Sequence, residues 1–127
     1  ALATDLEVAT GTPISLHATA EDAVAGVDGI VNASPIGMSG HPGCPVDPDA
    51  LHGPAWAFDA VYAPVDTEFL RHAAGAGAIV MPGADLFFWQ GIHAFEIFHR
   101  THLDPPVVDA AADIVRREVE RRAIEGS

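Results

Sequence analysis

No tight hairpin turn joins the apolar runs of this chain, and that restricts its fold more than any other feature. The runs Pro13–His17, Asp28–Ala33, Ala55–Tyr62 and Ala78–Met81 are separated by helical patterns instead. Strands alternating with helices at short spacing make parallel βα units. Each run is apolar along its length, as strands covered on both faces are. The expectation is an α/β fold with a parallel sheet of about four strands and helices on both faces.

The helices between them carry readable ends. Leu2 and Leu6 share a face and Gly11 supplies a stop, so Ala1–Gly11 reads as the tail of a helix. A chain that starts inside a helix leads to the expectation of a piece of a longer polypeptide. Thr19 with Asp22 resembles a capping box, and Gly26 ends that helix. Asp66 or Thr67 caps another, which Gly75 and Gly77 close. Between them, the prolines and glycines of Ser39–Pro48 forbid a regular element.

The last third is different. Asp85–His99 is one helix with Leu86, Phe87, Phe88, Trp89, Ile92, Phe95, Ile97 and Phe98 around much of its circumference. Such a helix is expected to be buried on more than one side. Asp104-Pro105-Pro106 then opens a final helix whose stripe is Val108, Ala111, Val115 and Val119.

Composition narrows the function. Acidic residues outnumber basic ones 18 to 6, for a formal charge of -12, which repels a phosphate backbone and argues against a nucleic-acid partner. No apolar run reaches the roughly 18 residues of a membrane span. Cys44 is the single cysteine, so no internal disulfide can form and a cytoplasmic setting is expected. All 6 basic residues are arginines. Chemistry that needs a lysine must take it from elsewhere.

In an open parallel sheet, ligands bind beyond the carboxyl ends of the strands. Three ends can be compared: Asn32-Ala33-Ser34-Pro35, Tyr62-Ala63-Pro64 and Pro82-Gly83. Ala33 and Ser34 are small enough for a flat ring or sugar to lie against their backbone; an ordinary loop exit explains them equally well. Tyr62 either meets a ligand or bonds nearby backbone. Gln90 is the one amide among aromatics, and buried it would need a ligand hydroxyl or a neighbouring carbonyl. His99 and His102 lack a third metal ligand nearby, and Cys44 has no His or Lys beside it to activate it. No G-x-G-x-x-G phosphate turn occurs.

Val31-Asn32-Ala33-Ser34-Pro35-Ile36-Gly37-Met38 resembles the V-N-A-T-P-x-G-M motif of shikimate dehydrogenases. Asp59–Leu70 resembles their D-x-V-Y-x-P-x-x-T-x-L-L. Pro82-Gly83, Gln90 and Ala94–Phe98 resemble their D-G-x-x-M-x-x-x-Q-A-x-x-A-F-x-x-F, and His41-Pro42-Gly43 looks like the quinate/shikimate branch. The three motifs stand in order and match the C-terminal half of that family. The resemblance implies a Rossmann-like sheet over residues 1–83, then helices over 84–127 that return toward an N-terminal substrate domain. It implies NAD or NADP as cofactor, held by Asn32, Ala33, Ser34, Pro35, Met38, Val61, Gly83 and Leu86. Gly83 would let the nicotinamide approach the backbone. Tyr62 and Gln90 would face a small polyhydroxylated carboxylic acid. The catalytic lysine–aspartate pair belongs to the N-terminal part, so the chain alone is expected to be inactive. A homodimer is the assembly carried forward.

Several residues depart from the family pattern. Ser34 stands for threonine, Leu86 for methionine, Gly91 for alanine, and Asp85 and Trp89 for small residues. Asp85 and Trp89 could reshape the substrate pocket, which opens the alternative of an amino-substituted substrate. A nucleotide-binding module without chemistry is the non-enzymatic alternative.

Overall fold

The computed structural model describes residues 2–125; Ala1, Gly126 and Ser127, at the outer ends of the expected first and last helices, lie outside them. The elements are α1 (Leu2–Thr10), α2 (Ala20–Val24), β1 (Gly29–Asn32), β2 (Trp56–Asp59), α3 (Glu68–Gly75), β3 (Ile79–Pro82), α4 (Gly83–His99) and α5 (Pro105–Glu125). A single 3-10 turn, Pro48–Ala50, lies between β1 and β2. The strands form one parallel sheet in the order β1-β2-β3.

The sheet has three strands where four were expected, because Pro13–His17 is not one. A strand exists by its ladder, and among the described residues this run pairs with none. The Ile14 N–H instead donates to Glu7 Oε1 at 2.7 Å.

Burial follows the pleat. Ile30, Ala57 and Val80 lie level across the sheet and share one face, which α3 covers with Phe69, Leu70 and Ala73. Val46 and Leu51, from the irregular stretch between β1 and β2, close that core. The opposite face carries Val31, Trp56, Ile79 and Met81, and Val31 and Ile79 remain 54% and 74% exposed. The apolar runs thus mark strands with two apolar faces, of which the described residues cover one.

Helix ends follow local chemistry. Thr19 Oγ1 accepts from the Asp22 N–H at 3.1 Å, and Thr67, not Asp66, caps α3 by accepting from the Leu70 N–H at 3.3 Å. α4 begins at Gly83, two residues before the expected Asp85, because the backbone enters the helix directly from β3. Ile92 is its one buried large side chain; Leu86, Phe87, Trp89, Phe95, Ile97 and Phe98 stay exposed. α5 doubles back along α4, with Val119 buried and Val108, Ala111 and Val115 half-buried, so the expected stripe faces inward. No helix among the described residues is long and apolar enough to cross a membrane.

Candidate functional site

Register brings the three strand ends level. Asn32 pairs with Asp59, and Asp59 with Pro82. The exits Ala33-Ser34, Ala60-Val61-Tyr62 and Gly83 therefore leave the sheet side by side at its carboxyl edge, where open α/β sheets bind ligands.

Beneath that edge runs a buried polar network. Asn32 is 4% exposed and its amide is fully used. Its Nδ2 donates to Ile36 O at 3.1 Å and to Asp59 Oδ1 at 3.0 Å. Its Oδ1 accepts from the Ser34 N–H at 3.0 Å and the Ser34 hydroxyl at 2.6 Å. Two donors and two lone pairs are all an amide has. Asp59, 0% exposed, also accepts from the Val61 N–H at 3.0 Å through Oδ1 and from the Thr67 hydroxyl at 2.6 Å through Oδ2. Among the described residues, no buried side-chain polar atom lacks a partner.

Sequence reading singled out Asn32 but neither Asp59 nor Thr67 as site residues. The signal was present: an aspartate inside an apolar run, followed at a separation of 8 by a threonine that caps a helix. The Asn32 amide is engaged in this network through all four of its hydrogen bonds. Its hydrogen-bonding capacity is spent holding the turn, while Asn32 still lines the groove along β1 together with Ala33 and Ser34.

Gly83 is buried at the start of α4. A Cβ built on it would lie 2.5 Å from Val61 O and 2.6 Å from Ala60 O. The space a side chain would take is filled by this chain's own backbone. Gly83 thus lets α4 start against the exit of β2, with Val61 buried there.

The remaining residues spread along the edge. Ala33 is exposed and Ser34 half-buried, and both line a groove of about 600 Å³ that runs along β1 beside Ala20 and Val24 of α2. Pro35 and Met38 sit in the following turn, where the Met38 N–H donates to Pro35 O at 3.1 Å. The Ser39 N–H reaches Ala63 O at 3.3 Å, tying this loop to the exit of β2. Leu86 is exposed in the first turn of α4.

Tyr62, exposed, stacks on Phe87 of α4 with ring centroids 5.0 Å apart. Gln90 is exposed too, so it does not need the partner that burial would have demanded. The two line neighbouring grooves that share Phe87 and Val115, rather than one common pocket. The Asp85 carboxylate lies 3.3 Å from the Arg116 guanidinium of α5.

Burial, more than the acidic groups around it, pushes the Cys44 thiol up, away from the nucleophilic thiolate. Glu96 accepts from the Leu103 N–H at 2.9 Å and lies near His93 and His102, tying the turn between α4 and α5. No group of three His, Cys, Asp or Glu among the described residues could hold a metal ion.

No family model matches the chain. Among curated proteins, it is 46% identical over 99 residues to a shikimate dehydrogenase (NADP(+)) of Halorubrum lacusprofundi, covering 78% of this chain and 35% of that protein. It is 40% identical over 87 residues to a quinate/shikimate dehydrogenase (NAD(+)) of Corynebacterium glutamicum, covering 68% and 30%. Among solved structures, quinate dehydrogenase from Corynebacterium glutamicum in complex with NAD aligns with a TM-score of 0.74 and 33% identity, over 88% of this chain and 40% of that one. The chain spans about a third of the length of these curated relatives.

Proposed function

Because the chain belongs, over the part it spans, to the shikimate/quinate dehydrogenase family, we propose that it is the cofactor-side portion of an NAD(P)-dependent dehydrogenase. The reaction is reversible hydride transfer between the ring carbinol of shikimate or quinate and the corresponding ketone. In this reading residues 1–83 complete a dinucleotide domain, and 84–127 are helices returning toward a substrate domain. The observation that carries it is the register of the sheet, which levels all three motif-bearing strand exits at one carboxyl edge.

The edge suits a nicotinamide nucleotide. Ala33 and Ser34 offer a ledge of small side chains beside a groove of about 600 Å³. Pro35, Met38 and Leu86 would flank it, with the Asn32, Val61 and Gly83 backbones as its floor. When bound, the nicotinamide accepts or returns the hydride. Tyr62 would present its hydroxyl to the polyhydroxylated acid, with its ring steadied on Phe87. Gln90 would approach the same acid from its own groove on α4. Removing a hydride from a carbinol also requires that the hydroxyl proton leave. The chain's 6 basic side chains are all arginines, so a lysine for that proton would come from outside these 127 residues. The relatives named for NADP(+) and for NAD(+) leave either nucleotide in play.

The Asp85 carboxylate, pairing with Arg116, gives an amino-substituted substrate no support. The lone cysteine suits a reducing cytoplasm. A homodimer is read by sedimentation of the longer polypeptide that carries this segment. The functional test assays that polypeptide and the 127-residue chain with shikimate or quinate and NAD or NADP. Turnover by the longer protein alone is expected. Turnover by the short chain, or oxidation of neither acid by the longer protein, would refute the reading.

A further inference from the structure

We propose that Asp59 is a positioning residue that locks the cofactor-side and substrate-side strand exits into one frame. The assignment of those sides rests on the function proposed above; the locking rests on geometry alone.

Three donors from three segments converge on one carboxylate with 0% exposure: Asn32 Nδ2 from the tip of β1, the Val61 N–H from the exit of β2, and the Thr67 hydroxyl at the start of α3. Asp59 Oδ1 accepts from the Val61 backbone N–H, so it is an acceptor toward Asn32 as well. Asn32 turns its NH2 toward both Asp59 Oδ1 and the Ile36 carbonyl, which leaves its Oδ1 to accept from the Ser34 N–H and hydroxyl. The Ser34 hydroxyl must then donate to Asn32, at 2.6 Å. It also accepts from the Ile36 N–H at 3.3 Å. Asp59, the Ile36 carbonyl and the Ser34 N–H thus agree on one orientation of the Asn32 amide, and all the segments that meet there are tied together. On the other arm, Asp59 Oδ1 holds the Val61 N–H and so the backbone that leads into Tyr62. Thr67 closes the chain by spending its proton on Asp59 and accepting from the Leu70 N–H.

The test uses the longer polypeptide that carries this segment, as Asp59→Asn, Thr67→Val and Thr67→Ser. Asp59→Asn keeps the shape but can turn an NH2 toward its donors, and Thr67→Val removes one donor without changing volume. Each should raise KM for both nucleotide and acid roughly tenfold, the scale of one hydrogen bond to a charged group, with kcat within about threefold. Thr67→Ser should restore both. A purely structural role would lower the unfolding midpoint and leave KM unchanged, and that outcome overturns the proposal. Amide exchange separates this from the functional reading. In Thr67→Val the Ser34 and Val61 amides, neither bonded to Thr67, should exchange roughly tenfold faster while Val80 in β3 does not. If the unmodified protein oxidises neither acid, the function fails and exchange still decides the locking. If Ser34 and Val61 exchange as before, the locking fails whatever the activity. If Asp59→Asn does not fold, Thr67→Val carries the same readouts.

Discussion

Replacing Gly83 with alanine would drive a methyl group into the backbone that leaves β2. The new Cβ would stand 2.5 Å from Val61 O, 2.6 Å from Ala60 O and 2.7 Å from Ala60 C, where ordinary contact begins at 3.4 Å. The nearest atom would have to retreat by roughly 0.9 Å. These are backbone atoms, and Val61 is held by its N–H bond to Asp59, so no side chain can rotate aside. Overpacking of this kind costs about 1–3 kcal/mol. Helix propensity pulls the other way, since alanine is favoured over glycine by up to about 1 kcal/mol within a helix. Sterics should win, for a net loss of about 1–2 kcal/mol. Gly91, in the same helix, has nothing within 4 Å of its Cβ position, so Gly91→Ala should gain up to about 1 kcal/mol. Urea unfolding of the longer polypeptide, at constant slope, reads both. A Gly83→Ala protein as stable as the parent would refute the packing argument. So would a Gly91→Ala protein destabilised to the same degree.

Two further predictions concern charge. The Leu103 N–H holds the Glu96 carboxyl below the usual carboxylate range against a smaller effect of burial, with His93 and His102 assisting. A lowered folded pKa stabilises the turn between α4 and α5 fully above the ordinary glutamate value, and that contribution is lost as pH falls through the lowered one. Leu103 amide protection should therefore fade in acid, and Glu96→Gln should remove that dependence; an unaltered acid limb in the variant would exclude Glu96 as its source. Asp85 and Arg116 form a half-exposed pair at 3.3 Å, so Arg116→Ala should cost no more than about 1 kcal/mol on unfolding. Asp85→Gly should leave the choice between shikimate and quinate unchanged, and a switch of preference would put Asp85 back in the substrate pocket.

Much of the fold was legible where local chemistry decides it. Thr19 and Thr67 cap helices because a side-chain oxygen can meet an N–H three residues on, which needs no tertiary information. The stripe Val108–Val119 turned inward because its spacing leaves one face to bury. Pro13–His17 failed for the opposite reason. Its composition suits a strand, but a ladder requires a neighbour, and composition cannot supply one. Gln90 was taken for a buried amide because aromatics surround it in sequence; on the helix those aromatics are themselves largely exposed, and so is the amide.

The order of small and polar residues after each apolar run determined, without coordinates, that three loops would meet at a parallel sheet's carboxyl edge. It did so because strand ends and helix caps are read from residues next to one another. Tertiary structure alone decided what those residues do there. Asn32 and Asp59 lie 27 positions apart and become partners only when β1 and β2 align, which commits the amide to holding the turn. Gly83 meets the Ala60 and Val61 carbonyls only when α4 starts against β2, which makes its missing side chain a matter of packing. Direction and contact across strands depend on register, and register is a property of the assembled sheet.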